Sequence, residues 1–128
     1  MLASTPELMY QVFADAFNSG DLERLLTMYE ADAALVAQPG QVLAGTDQVR
    51  AALQGFLALN GQLRMEPTAV VQTGDLALAS ARWSLAGSGP DGQPISLGGI
   101  SADVLRRQAD GAWRYVIDQP WGDQMTAA

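Results

Sequence analysis

The sequence predicts an α+β fold: a cone-like barrel in which a curved antiparallel sheet wraps around N-terminal helices. Up to Asn60, apolar residues recur at spacings of three and four; from Gln62 onward, runs rich in apolar and β-branched residues alternate with turn signals. Helices first and strands afterwards is the order of α+β architecture. With 128 residues, 48% of them hydrophobic and 16% charged, a single domain over 1–128 is expected, undivided by linker or repeat.

Thr5-Pro6-Glu7 is a helix start, with a capping hydroxyl, proline at the first helical position and an acid near the positive end of the dipole. Leu8, Met9, Val12, Phe13, Ala16 and Phe17 then form one apolar stripe, and Asn18-Ser19-Gly20 ends it. Asp21 caps a second helix expected to run through Leu22, Leu25, Leu26, Met28 and Tyr29, closed by Glu30-Ala31-Asp32. Ala33 to Ala37 reads as a short strand that turns at Pro39-Gly40 and pairs back through Val42-Leu43-Ala44. Thr46 with Asp47 caps a third helix, from Gln48 to about Leu59, with Val49, Leu53, Phe56 and Leu57 on its apolar side.

Four strands follow: 62–73, where Pro67 suggests an edge or a bulge, then 75–87, 95–109 and 112–119. Gly87 to Gly92 spells a literal GxGxxG, but it precedes a strand and not a helix, so it reads as a hairpin loop and not a dinucleotide site. Asp110-Gly111 is the strongest turn signal in the chain, since a two-residue hairpin loop needs positive φ at both positions. In that register Asp103 lies opposite Asp118, on a face with Leu105 and Val116. The other face then carries Ala102, Val104, Trp113, Tyr115 and Ile117. A three-residue loop would shift the pairing by one.

Composition excludes more than it assigns. Fourteen acids against seven bases, all arginine, give a net charge of -7, which argues against nucleic acid and anionic membrane as partners. Without cysteine or histidine there are no disulfides, thiol nucleophiles, imidazole triads or zinc sites of the usual kinds, and no spacing suggests an all-oxygen metal site. No cofactor motif is present. No apolar run reaches the roughly 18 residues of a membrane span and the first residues lack a basic leader, so a cytoplasmic location is the expectation.

Three stretches carry a family resemblance: Phe17 to Ala33 with its Asn18-Ser19-Gly20-Asp21-Leu22 core, Val42 to Arg50, and Asp103 to Asp118. The chain resembles the nuclear transport factor 2-like superfamily of cone-shaped α+β barrels, nearest to its SnoaL-like and ketosteroid isomerase-like members. That superfamily holds isomerases, polyketide cyclases, hydratases, epoxide hydrolases and non-catalytic binding modules. Its steroid isomerases use a tyrosine and a neutral aspartic acid as oxyanion donors and a second aspartate as base. By motif, the donor acid falls on Asp103, the tyrosine position on Phe13 and the base position on Ala37. With two of three groups missing, steroid isomerisation in its known form is not expected.

The resemblance also places Asp118 on a pocket-facing position of the last strand, in agreement with the hairpin register. Asp103 and Asp118 are therefore the candidate catalytic residues, with Asp118 as base and Asp103 as its protonated partner. Phe13, Phe17, Tyr29, Leu105 and Val116 are expected to line the cone. Trp83 and Trp121 are expected to stack a flat ligand, and Arg82 to orient an anionic one. The competing structural reading pairs both acids with arginine, Arg82 being nearest in sequence terms. The predicted function is an enzyme of isomerase, cyclase or hydratase type acting on a small hydrophobic, carbonyl-bearing ligand. The alternative is a binding or dimerisation module. An apolar outer face of the last hairpin predicts a homodimer through the sheet.

Overall fold

The computed structural model describes residues 3–125. Helix α1 (Leu8–Asn18) buries Met9, Tyr10, Val12, Phe13, Ala16 and Phe17, and the Thr5 hydroxyl accepts the Leu8 N–H at its start. Helix α2 (Leu22–Leu26) is capped by Asp21, whose Oδ1 accepts from the Arg24 N–H at 3.0 Å. It is shorter than the apolar spacing predicts: Tyr29 and Glu30 begin strand β1 (Tyr29–Gln38), where Tyr115 in the last strand stands beside Tyr29. Asp32 accordingly sits within a strand and not at a corner. Strand β2 (Gln41–Ala44) pairs back antiparallel on β1, and helix α3 (Thr46–Leu57) buries Val49 and Leu53.

The sheet continues with β3 (Gln62–Thr73), β4 (Leu76–Ser88), β5 (Pro94–Ile100), β6 (Asp103–Arg107) and β7 (Trp113–Asp118). Its order is β2-β1-β7-β6-β4-β3, with β5 also on β4. Pairing is antiparallel except between β1 and β7, which run parallel and bring the first strand beside the last. The sheet is curved and does not close into a barrel: β2 and β3 remain its edges. Edge strand β3 is irregular between Pro67 and Ala69, where the missing proline N–H removes a ladder donor. Alternate residues of β4 face inward, Ala77, Ala79 and Ala81 at one end and Trp83 and Leu85 at the other. Small side chains near β6 leave room there for polar groups.

Two expectations about this region are corrected. The run 95–109 is not one strand but two, bent at Ser101-Ala102, where the Ser101 hydroxyl accepts the Ala81 N–H (2.9 Å) and Ala102 N–H turns to the Gln119 carbonyl (2.9 Å). The last hairpin also has a longer loop than Asp-Gly alone implies. Gly111 N–H bonds Gln108 O and Gln108 N–H bonds Ala112 O, with Gly111 at φ 86, so Ala109-Asp110-Gly111 is a three-residue loop ending in a left-handed glycine. Pairing is thereby shifted near the turn (Leu105 opposite Tyr115) and recovers at Val104 opposite Ile117 after an irregularity. Trp113 and Tyr115 consequently face the core, opposite to the predicted face, while Asp118 still points inward.

One core cluster joins the helices to the concave side of the sheet. The Asn18 side chain fixes α1 against β3 through both amide atoms, donating to Leu63 O (2.9 Å) and accepting from Leu63 N–H (2.8 Å). Among the described residues no helix is long and apolar enough to cross a membrane.

Candidate functional site

The concave side of the sheet, closed over by α1 and α3, leaves a narrow pocket of about 60 Å³. Its wall is almost wholly apolar. Phe13 and Phe17 come from α1, Leu53 and Phe56 from α3, and Trp83 and Leu85 from β4. Pro120 and Trp121 contribute from the segment after β7, where Trp121 packs edge-on against Trp83 with centroids 5.1 Å apart. Tyr29, Ser101 and Asp118 supply the polar end.

Behind that end lies Asp103, 1% exposed, with Asp118 beside it at 7%. Every acceptor side of Asp103 is engaged. Oδ2 accepts from the Tyr10 phenol (2.6 Å) and the Ser101 hydroxyl (2.7 Å), and Oδ1 accepts from the Gln119 backbone N–H (2.9 Å). Asp118 Oδ2 accepts from the Tyr29 phenol at 2.5 Å, and Asp103 and Asp118 are near enough for each to perturb the other's ionisation. Among the described residues no arginine forms an ion pair with either acid.

These contacts order the protonation of the pair. Burial raises both acids, because a carboxylate loses its hydration and finds no cation in return. For Asp103 burial is opposed by donors from Tyr10, Ser101, Gln119 and Asp118, and the net result is a rise only to about 6. Asp118 is pushed well above the ordinary 3.8 by burial first and by the neighbouring Asp103 charge second, with Tyr29 as its counteracting donor. The first proton lost therefore leaves Asp103, and Asp118 keeps its own. The donor count favours the opposite order to the one expected from sequence, in which Asp103 is the protonated partner. The phenols of Tyr10 and Tyr29 are raised by burial and then by the adjoining carboxyls, so both remain donors at neutral pH.

Phe13, Phe17, Tyr29, Trp83, Trp121 and Asp118 all reach the pocket wall as the sequence places them. Leu105 is fully buried but packs in the core without lining the pocket. Val116 is excluded because the irregularity after Tyr115 turns it out of the inward alternation. Arg82 is exposed on the convex face, opposite Glu66 across the β3–β4 ladder, and neither meets a ligand in the pocket nor neutralises the acids. Phe13 packs edge-on against Tyr29 and Tyr115, and the Ala37 carbonyl holds the Trp121 indole N–H (3.2 Å).

Tyr10 is a site residue that is absent from the candidates expected from sequence. It stands one helical turn before Phe13 on the same buried stripe, where a phenol requires a polar partner. Ser101 carried no sequence signal, since its role arises from the bend between β5 and β6.

Residues 10–116 match the family model of the SnoaL-like domain. No curated protein sequence matches the chain. Among solved structures, the chain is similar to a ketosteroid isomerase-like protein from Erwinia carotovora atroseptica, with 22% identity and a TM-score of 0.76 over 88% of each chain. It is also similar to a proposed dehydratase of the nuclear transport factor 2-like family from Streptomyces avermitilis, with 23% identity and a TM-score of 0.70 over 87% of this chain and 88% of that one. A proposed calcium/calmodulin-dependent protein kinase II association domain from Xanthomonas campestris gives 16% identity and a TM-score of 0.74, over 88% of this chain and 81% of that one. At these identities the likeness establishes the shared fold.

Proposed function

The chain belongs to the SnoaL-like domain family, and from that premise we propose that it is a small-molecule enzyme of isomerase, cyclase or hydratase type in which Asp118 and Asp103 move a proton to and from an apolar ligand. The observation that carries this reading is a buried pair of neighbouring acids, without a cation among the described residues, at the polar end of an apolar pocket, with one member, Asp118, on the pocket wall. In the single-proton state Asp118 takes a proton from the ligand as its own passes to Asp103. The pair is then neutral, and the reverse transfer returns a proton to another ligand atom. A base of this strength removes only acidified protons, so the substrate expected is an apolar compound with a carbonyl next to the reacting atom.

The test is deuterium uptake from heavy water into small cyclic hydroxyketones, followed by proton magnetic resonance. The wild type should catalyse exchange and Asp118→Asn should reduce it by about a hundredfold or more. Equal exchange by the two proteins counts against the proposal.

A second reading, a ligand-binding or dimerisation module, is favoured by one observation: Asp103 and Tyr10 lie behind the wall and not on it. A homodimer belongs to either reading. Its support is a row on the convex face in which Leu78, 57% exposed, pairs with Val104, and Val104 with Ile117, 39% exposed. Light scattering should give twice the mass of one chain for the wild type and one chain for Leu78→Glu; a wild-type monomer removes the dimer.

A further inference from the structure

The direction of the hydrogen bonds at the pocket wall says which end of a ligand this site takes. Five lining residues carry polar side-chain groups: Tyr29, Trp83, Ser101, Asp118 and Trp121. Each has its hydrogen committed away from the cavity. The Tyr29 phenol donates to Asp118 Oδ2 (2.5 Å), and the Ser101 hydroxyl donates to Asp103 Oδ2 (2.7 Å). The Trp83 indole N–H donates to Pro120 O (2.6 Å) and that of Trp121 to Ala37 O (3.2 Å). The Asp118 carboxyl faces Asp103, whose other donors are fixed.

We propose that the polar end of the pocket is an array of acceptors only, built to receive a hydrogen-bond donor, so that its ligand is an uncharged apolar molecule entering with a hydroxyl or N–H group foremost. What Tyr29 and Ser101 still offer the cavity are oxygen lone pairs. A carbonyl placed there meets lone pairs with lone pairs, and its own desolvation goes uncompensated. An anion is worse, because the acid pair is without a cation among the described residues. This inference rests on the proposed proton-transfer reading and refines it: the ligand's carbonyl lies away from the acids and its donor group lies against them.

The experiment compares cyclohexanol, cyclohexanone and cyclohexanecarboxylate, three probes of one ring size. Binding is followed by the indole N–H resonances of Trp83 and Trp121, with Trp113 in the core as internal control. Cyclohexanol should bind on the order of tenfold more tightly than cyclohexanone, and the carboxylate should leave the resonances unmoved. A ketone that binds as well as the alcohol, a carboxylate that binds, or no response to any probe overturns the inference.

Asp118→Asn separates this inference from the catalytic one. Its carbonyl accepts from Tyr29 and one amide hydrogen donates to Asp103, while the second, which aspartic acid lacks, adds a donor at the wall, so deuterium exchange should be lost and the preference for the alcohol should shrink. Exchange unchanged in the variant sinks only the enzyme reading. A preference for the alcohol that grows in a variant that still folds, as judged by its amide spectrum, sinks the acceptor array.

Discussion

Asp118→Asn tests the electrostatics of the site through stability alone, without knowledge of the substrate. The native fold holds Asp118 protonated, and asparagine is nearly isosteric with that state. In the unfolded chain Asp118 ionises near its ordinary 3.8. Because the folded value is raised above the unfolded one, the wild type is not penalised below that pH. It loses stability with every unit above it, until the folded value is reached. The slope is about 1.4 kcal/mol per pH unit. The wild type therefore forfeits stability at that slope over the whole window from 3.8 up to its raised folded value, and the asparagine variant does not.

The assay is urea denaturation of both proteins at a series of values between about pH 4 and pH 8. The two should be nearly equal at the acid end and diverge steadily, with the variant the more stable. Other titrating groups, Asp103 included, largely cancel in the difference. The pH at which the divergence stops reads the folded value of Asp118 directly. A difference that stays flat, or a variant that grows less stable with pH, would mean that Asp118 is ionised in the native state and would refute the protonation order argued above.

Two further outcomes follow from the same contacts. Tyr10→Phe removes one donor from Asp103 (2.6 Å in the wild type), so the acid limb of any pH–rate profile, expected near 6, should move upward by about one unit; an unmoved limb would separate Asp103 from the titration that matters. Gly111→Ala places a Cβ at φ 86 in the last hairpin, where nothing lies within 4 Å, so its cost of about 1 kcal/mol in urea unfolding should be conformational only; a loss several times larger would point to a contact at the turn.

The parts of the fold that were legible in the sequence are those set by local chemistry. Helices α1 and α3, strand β3 with its irregularity at Pro67, and the hairpin loop within Gly87–Gly92 follow from periodicity, capping and turn residues. The errors arise where a distant partner decides. Tyr29 has helical spacing after Leu22 and Leu25, yet the parallel pairing with β7, its N–H ladder completed by Met28 O and Tyr115 N–H, draws it into a strand. Ser101-Ala102 reads as mid-strand, but bends because Ala102 bonds to Gln119 rather than to β4. Arg82 belongs with the acids by proximity in a pattern of types, and β4 alternation puts it on the opposite face.

The acid pair itself was found for a reason that holds only in part. A two-residue loop predicts Asp103 opposite Asp118; the true loop is one residue longer, and the irregularity at Val116 returns the register before Asp118 is reached. The two departures cancel at the acids and do not cancel between them, which is why Asp118 was placed correctly and Val116 and Tyr115 were exchanged. Protonation order was beyond the register altogether. It depends on how many donors each carboxyl meets, and those donors come from α1, from the bend at Ser101 and from the residue after β7. A carboxylate with three fixed donors holds its charge more readily than one with a single phenol, whatever their order in the chain. The group on the pocket wall is thus the weaker acid of the two. It keeps its proton because its partner behind the wall has taken most of the donors.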